Sequence, residues 1–382
     1  MPIEIYALAL GTFAVGTTEF IMMGLLPNVA AALSVSIPVA GLLVTGYALG
    51  VVVGAPIMTL GTSKIDRKTL LVSLMSLFVI GNLMSAFAPN YTVMLAGRIV
   101  SSLMHGAFFG VGSVVTMHLV EEKMQSRAVA LMFSGLALSN IIGVPLGTAI
   151  GEYFSWRVSF ALVSLLGLAT AAFLLFALKP QAPDPMGSMK KELKVLMRPN
   201  VWLALCTTTF GFGGVFVVWT YIAPILREAT GLSPNIMTLV LFIYGIGLTL
   251  GNHVMGRLSD RSLAVSLYSV LGGLVLLMAI FAFTMTNVWT TGVTIFLLGF
   301  AAFGTIPPLQ IGIMKAAQGA PNLASALNIA AFNLGNAGGA WVGSRLIDNH
   351  FSYPTLALAG ALISSSGLIF AFAIYGTGKK TA

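Results

Sequence analysis

The chain has 382 residues, of which 57% are hydrophobic and only 8% are charged. A soluble domain of average composition has about 25% charged residues, so this chain has too little polar surface for a water-soluble globule. Its formal net charge of +8 is compatible with a nucleic-acid-binding protein, but the placement of the basic residues, described below, argues against that class.

Twelve apolar runs, each long enough to cross a bilayer, follow one another along the chain. A spanning helix needs about 20 mainly apolar residues, and Gly, Pro and charged residues separate runs of about that length. The predicted helices cover residues 4–30, 36–59, 69–88, 91–118, 127–150, 157–178, 201–223, 234–256, 263–284, 288–313, 322–346 and 354–376. No alternation typical of β-strands appears, so we expect an all-α membrane protein.

A long polar stretch at residues 179–200 separates the first six predicted helices from the last six. Its Pro, Gly and Lys content is typical of a linker. We therefore predict an N-terminal six-helix bundle at residues 1–178, a cytoplasmic linker at 179–200 and a C-terminal six-helix bundle at 201–382.

The two halves are alike in sequence. The segment GVVVG at residues 50–54 returns as GLTLG at 247–251, an offset of 197, and Asn140 returns as Asn336 at an offset of 196. A nearly constant offset across several helix pairs indicates two six-helix repeats. In transporters built from such repeats, the substrate site lies near the membrane midplane between the halves.

The basic residues predict the orientation of the chain. With a cytoplasmic N-terminus, fifteen of the 19 Lys and Arg residues lie on the cytoplasmic side, three lie on the other side, and Arg98 lies inside a predicted helix. Cytoplasmic loops carry the excess of Lys and Arg. We therefore expect a multi-pass protein of the inner membrane with both termini in the cytoplasm, and the net charge no longer indicates nucleic acid.

Glu19 lies near the middle of the first predicted helix, within GTTEFIMMGLLP (16–27). An unpaired carboxylate in apolar surroundings tends to bind a proton, and an ionisable residue inside the membrane marks a functional site by default. Protonated, Glu19 is neutral; deprotonated, it can attract a cationic group or pair with Arg98. A fixed hydrogen-bond role is the alternative. Its equivalent in the second half is Phe216, so the repeated scaffold does not require a carboxylate.

The fourth predicted helix contains two further ionisable residues, Arg98 and His105, within LAGRIVSSLMHG (95–106). They are seven residues apart and so lie on nearly the same helix face. Arg98 can hold a carboxylate ionised or help to expel its proton; a structural Arg bonded to main-chain carbonyls is the alternative. His105, with an ordinary pKa near 6.5, is a candidate proton relay or substrate donor, and a satisfied structural His is the alternative.

The segment GRLSDR (256–261), together with the twelve runs and two halves, resembles the major facilitator superfamily. The resemblance implies twelve transmembrane helices in two pseudo-symmetric six-helix bundles. It also implies a gating role for Gly256, Asp260 and Arg261, with Asp260 pairing with a cation or capping a neighbouring helix. In the first half Ser63 stands where the family has Asp. Anchoring by basic residues alone is the alternative.

The segment GLALSNIIGVPLGTAIG (135–151) resembles the helix-five motif of antiporters in this superfamily. Gly143, Pro145 and Gly147 are in place, whereas Val144 replaces the usual Gly. The resemblance implies a role in conformational gating, and tight helix packing is the alternative.

Motifs in helices one, four, seven and eleven together resemble the arabinose-efflux-permease-like branch of drug:proton and sugar-efflux antiporters: TTEF, HGAFFG, WTYIAP and FNLGNAGGA. By position, six residues are candidates to line a substrate site, namely Glu19, His105, Asn140, Trp219, Tyr221 and Asn333. Polar and aromatic residues at helical spacing also occur as packing residues, which is the alternative for the last four.

These observations favour a proton-coupled secondary transporter that exports a drug or sugar-like molecule by alternating access. Inward proton symport is the alternative. A membrane enzyme or sensor is disfavoured, because the sequence shows no paired carboxylates at a helix end, no metal-ligand cluster, no nucleophile with a base and no soluble input or output domain. We expect no cofactor and no metal, and a monomer whose partners are the lipid bilayer, protons and a small-molecule substrate.

Overall fold

The computed structural model describes residues 1–62, 64–181, 197–318 and 321–375, and all regular secondary structure within these ranges is helical. Helices α1–α8 are Ile3–Ala32, Ile37–Gly61, Arg67–Ala86, Tyr91–Leu103, His105–His118, Gln125–Leu138, Val144–Ile150 and Trp156–Ala177. Helices α9–α15 are Pro199–Trp219, Pro234–Arg261, Leu263–Thr284, Val288–Gly304, Ile306–Ala316, Pro321–Asp348 and Tyr353–Tyr375. Short helical turns lie at Glu122–Met124, Ser139–Gly143, Gly151–Ser155, Ile222–Pro224 and Ile225–Ala229.

Ten helical stretches within the described residues are long and apolar enough to cross a membrane. One of them, Glu122–Ala177, contains both the fifth and the sixth predicted spans. The eleventh predicted span corresponds to α14, which is not among the ten. The predicted all-α membrane class is confirmed, although a break at Met104 divides the fourth predicted run into α4 and α5.

The chain forms two compact units. Unit one is Met1–Pro185 with Pro234–Phe242, and unit two is Met186–Ser233 with Ile243–Ala382. Each unit has its own apolar core, around Phe78 and Phe108 in unit one and around Leu271 and Leu309 in unit two. The larger part of the predicted linker, residues 182–196, lies outside the described residues, as does Ser63.

Helix α1 is the most enclosed helix of unit one, and of residues 11–26 only Phe13 is incompletely buried. The helix-five motif packs against it: a Cβ atom at Gly143 would overlap Thr17, and one at Gly147 would overlap Ile21. Small residues allow two helices to approach closely. The packing expected from this motif is therefore present, and it places α7 directly beside the turn that carries Glu19.

Polar side chains cap the first turns of several helices. The side chains of Ser36, Asn90, Ser155, Ser262 and Asn287 accept hydrogen bonds from main-chain N–H groups at the starts of α2, α4, α8, α11 and α12. At the start of α3 the Asp66 Oδ1 atom accepts from the Thr69 N–H at 3.0 Å. These contacts satisfy N–H groups that have no partner within the helix.

Asp66 makes the stability of this cap depend on pH. Hydrogen bonds from Thr69, through its side chain and then its backbone, hold the pKa of Asp66 below its ordinary value. Such a carboxylate stabilises the fold above its unfolded pKa, near 4, and loses that contribution as the pH falls through its lower folded pKa.

We expect Asp66→Ala to reduce the free energy of unfolding by about 1 kcal/mol at neutral pH. The difference from wild type should narrow at an acidic pH well below the ordinary pKa of Asp, because the wild-type carboxylate becomes protonated as the pH falls through its lowered pKa. Thermal unfolding in detergent at both pH values measures this. A difference of the same size at both would show that the charge on Asp66 contributes nothing.

Candidate functional site

Four side chains from four helices meet in the interior of unit one: Glu19 from α1, Tyr47 from α2, Arg98 from α4 and His105 from α5. All four are buried, and Arg98 is completely so. The structure thus brings together the three residues that the sequence predicts for proton coupling. Tyr47, which sequence reasoning missed, joins them, and we call these four residues the unit-one cluster.

Arg98 contacts the main chain of α1 beside the Glu19 side chain. Its Nη1 atom donates to the Thr18 carbonyl oxygen at 2.6 Å, and its Nη2 atom donates to the Glu19 carbonyl oxygen at 3.4 Å. The guanidinium carbon lies 4.2 Å from the centre of the Tyr47 ring, within the range of a cation–π interaction. Arg98 therefore braces the helical turn that carries Glu19.

No ion pair joins Arg98 to the Glu19 carboxylate within the described part of the chain, and the Arg98 Nε atom has no hydrogen-bond partner there. The main-chain bonds are those expected of a structural arginine. These hydrogen bonds are compatible with an electrostatic effect of Arg98 on Glu19, because a buried positive charge acts over several ångströms in a medium of low dielectric constant.

His105 lies between Tyr47 and Glu19. Its Nδ1 atom is 3.1 Å from the Tyr47 hydroxyl oxygen, and its Nε2 atom is 4.0 Å from Glu19 Oε2. When the Tyr47 hydroxyl donates to Nδ1, a neutral His105 carries its proton on Nε2, on the side of Glu19. A separation of 4.0 Å exceeds a hydrogen bond, so proton exchange requires the two groups to approach each other.

A second contact holds α1 one residue before Glu19. The Thr18 hydroxyl donates to Asn82 Oδ1 in α3, and the Asn82 amide donates to the Phe78 carbonyl oxygen at 2.9 Å. Both polar side chains are fully buried. The sequence signal that could have identified Asn82 is an amide side chain within an otherwise apolar predicted helix.

Unit two contains the same scaffold without the ionisable groups. At the offset of 197, Glu19, Arg98 and His105 correspond to Phe216, Ile295 and Ala302, and only Tyr47 keeps its type, as Tyr244. Equivalent helix contacts support this alignment. A Cβ atom at Gly50 would contact Ile99 and Ser102, and a Cβ atom at Gly247 would contact Phe296 and Phe300. The repeat therefore folds in unit two without these ionisable side chains.

The remaining predicted substrate residues make local contacts. Asn140 lies in the turn Ser139–Gly143 and donates to the Leu136 carbonyl oxygen at 3.0 Å. The Trp219 ring stacks on Tyr244 with 3.4 Å between ring centres. Tyr221 is fully buried and donates to the Ala340 carbonyl oxygen at 2.8 Å, as a packing residue does. Substrate binding by these residues remains a prediction.

The predicted gating residues Gly256, Asp260 and Arg261 lie in the last turns of α10, where Asp260 and Arg261 are exposed. Ser262, rather than Asp260, caps α11 by accepting from the Val265 N–H at 3.4 Å. Asp260 shows no ion pair with another described residue. The gating role thus remains a prediction, as it does for Pro145, which lies in the first turn of α7.

Comparison with known proteins identifies the kind of molecule that carries this site. The family model of the Major Facilitator Superfamily matches residues 8–340 and 204–381. The chain is 44% identical to the inner membrane transport protein YdhP of Escherichia coli (strain K12), over 96% of this chain and 94% of that protein. It is 30% identical to a probable sugar efflux transporter of Helicobacter pylori, over 90% and 88% of the two chains.

A solved structure shows the same fold. The xylose transporter XylE of E. coli, in a partially occluded inward-open conformation, superimposes with a TM-score of 0.73 at 15% identity, covering 99% of this chain and 97% of that chain. Identity at this level supports the similarity of fold alone.

Proposed function

This chain belongs to the Major Facilitator Superfamily and is a membrane transporter, and from that premise we propose that it exports a small molecule in exchange for protons. In this proposal Glu19 carries the proton, and Arg98 and His105 control when it is bound. We further propose an inner-membrane monomer with both termini in the cytoplasm and the two predicted six-helix bundles as its moving parts.

One observation carries the proposal: the unit-one cluster places a buried carboxylate beside a histidine and an arginine where the repeated scaffold of unit two has only apolar side chains. A buried ionisable group is costly and persists where it has a use. Because Arg98 is occupied with the α1 main chain, the Glu19 carboxylate is not neutralised by a direct ion pair. It can be neutralised by a proton or by a donor group of the substrate.

This competition suggests a mechanism for exchange. A proton that enters from outside binds Glu19, removes its charge and so weakens its attraction for a substrate donor. When access alternates to the cytoplasmic side, loss of the proton restores the carboxylate, which can then bind the next substrate. His105 is placed to pass the proton, because its Nε2 atom faces Glu19 while Tyr47 holds its other ring nitrogen.

The outward direction and the substrate class rest on similarity. A relative is named a probable sugar efflux transporter, and the motifs in helices one, four, seven and eleven resemble those of drug and sugar exporters. We therefore propose a sugar-like or drug-like substrate.

The test is proton movement in proteoliposomes that contain a pH-sensitive dye, with the membrane potential clamped. Vesicles are loaded with members of a panel of pentoses, hexosides, amines and lipophilic cations and diluted into substrate-free buffer. Exchange of substrate for protons predicts that the interior of the vesicles becomes more acidic as substrate leaves them. An interior that becomes alkaline indicates symport, and substrate efflux without any pH change contradicts proton coupling.

A further inference from the structure

We propose that Asn333 and Asn336 of α14 form hydrogen bonds with hydroxyl or ammonium groups of the transported molecule, with the Asn333 oxygen as an acceptor. The inference rests on the proposed transport function and specifies its substrate class. Asn333 is exposed by 5% and Asn336 by 4%, and the Oδ1 atom of each has no hydrogen-bond partner. Two unpartnered amide oxygens thus lie three residues apart on one helix of unit two.

The orientation of the Asn333 amide is determined by its other atom. Its Nδ2 group donates to the Ile329 carbonyl oxygen at 3.0 Å, and reversing the amide would bring two oxygens together. The unpartnered atom of Asn333 is therefore an oxygen, which can only accept a hydrogen bond.

The helix geometry directs both amides away from the exposed side of α14. Leu334, Gly338, Trp341 and Arg345 are the exposed residues and form one face of the helix. At about 100° per residue, Asn336 lies nearly opposite the centre of that face, and Asn333 lies beside Asn336, one turn away. Both amides therefore belong to the interior of unit two.

A third asparagine on the same helix shows what a structural amide does in this environment. Asn328 is fully buried; its Oδ1 atom accepts from the Thr208 hydroxyl at 2.7 Å, and its Nδ2 group donates to Gln310 Oε1 at 2.7 Å. The Gln310 amide in turn donates to the Ser325 hydroxyl at 3.1 Å. Asn328 is satisfied within the protein, whereas the oxygens of Asn333 and Asn336 are not.

This difference between Asn328 and the other two asparagines indicates that Asn333 and Asn336 bind a ligand, and it indicates the chemistry of that ligand. Buried polar groups are normally paired within the protein, and an unpaired one lowers stability. A binding site with buried, unpaired acceptors selects ligands that carry matching donors, because a ligand without a donor leaves the acceptors unpaired. Two amides without a formal charge, one of them with a fixed acceptor, suit a molecule with several hydroxyl or amino groups, and they give no advantage to a lipophilic cation that has no donor.

The experiment compares Asn333→Leu, Asn336→Leu and Asn328→Leu, since Leu has nearly the size of Asn. Equilibrium binding to the purified full chain in detergent is measured with pentoses, methyl hexosides, primary amines and tetraphenylphosphonium, a cation without a donor. Thermal unfolding without ligand is measured in parallel. Binding at equilibrium requires no proton flux, so it tests the substrate class independently of coupling.

We expect Asn333→Leu and Asn336→Leu each to weaken binding of a donor-bearing probe by about tenfold, the effect of one lost hydrogen bond with a buried partner. Their unfolding temperatures should equal or exceed that of wild type, and tetraphenylphosphonium should bind no more weakly than before. Asn328→Leu should lower the unfolding temperature, because it leaves the partners of a buried amide unpaired.

Three results would overturn the inference. One is unchanged binding of every donor-bearing probe by both variants. Another is a wild type that binds tetraphenylphosphonium more tightly than every donor-bearing probe, or that binds nothing in the panel. The third is destabilisation of Asn333→Leu and Asn336→Leu to the same extent as Asn328→Leu, which would make all three amides structural.

Discussion

Glu19→Gln is expected to abolish proton movement coupled to substrate, with a loss of at least about 100-fold relative to wild type. A glutamine side chain keeps the size and hydrogen-bonding capacity of the protonated acid but cannot release a proton. Groups that transfer protons typically contribute factors of about 10² or more to the processes they serve. The fold should survive, because unit two has the same helix with Phe216 at this position.

The measurement is the dye signal in proteoliposomes, with the variant and the wild type reconstituted at equal protein content. Glu122→Gln is the matched control, since Glu122 is an exposed carboxylate of the same unit outside the helices of the cluster. It should leave the coupled flux unchanged. If Glu19→Gln retains coupled flux, Glu19 is a fixed hydrogen-bond partner, and His105 becomes the candidate for the proton site.

Arg98→Lys is expected to reduce transport by about 10- to 100-fold although the positive charge is kept. The guanidinium group donates through two different nitrogens to neighbouring carbonyl oxygens of α1, and its carbon lies over the Tyr47 ring, 4.2 Å from the ring centre. A lysine ammonium cannot reproduce both contacts. Hydrogen bonds from charged groups contribute about 1.5–3 kcal/mol. A loss of this size corresponds to a reduction in transport of about 10- to 100-fold if the contact of Arg98 with the α1 main chain is needed in only part of the transport cycle.

Arg157→Lys provides a close control for this substitution. Arg157 also donates to a main-chain oxygen, that of Ala88, at 2.8 Å and lies 4.2 Å from the centre of the Trp156 ring. It belongs to unit one but is outside the cluster. Substrate efflux by this variant should stay within about twofold of wild type. Equal losses for the two lysine variants would show a general effect of replacing an arginine that binds the main chain, and full activity of Arg98→Lys would show that charge alone matters.

Tyr47 shows how the structure changes the interpretation of the cluster. The sequence predicts that deprotonated Glu19 can pair with Arg98, and that His105 is a candidate proton relay or substrate donor. In the structure Arg98 holds the main chain, and Tyr47 contacts both Arg98 and His105. The repeat contained a signal for Tyr47, because it is the one member of the cluster that recurs, as Tyr244, but recurrence marks the scaffold rather than the proton path.

The asparagine side chains show the same limit of prediction from sequence. Asn140, Asn328, Asn333 and Asn336 all lie in predicted transmembrane helices, and sequence position does not separate them. Only the contacts do: Asn328 is satisfied on both sides, whereas Asn333 and Asn336 each retain an oxygen without a partner. From the sequence, Asn333 is a candidate by its position, and Asn336 is noted only as the repeat equivalent of Asn140.

The membrane environment, the helical class, the two repeats and the three ionisable residues of unit one could all be predicted from the amino-acid sequence. These predictions follow from composition, the length of apolar runs and residue spacing, which are averaged over many residues and tolerate local error. The three-dimensional packing was needed to establish which atoms Arg98 binds, which residue orients His105 and which amides remain unpaired. Hydrogen bonds form or fail over a few tenths of an ångström, and that distance depends on how closely helices pack and which rotamers they allow, which periodicity does not specify.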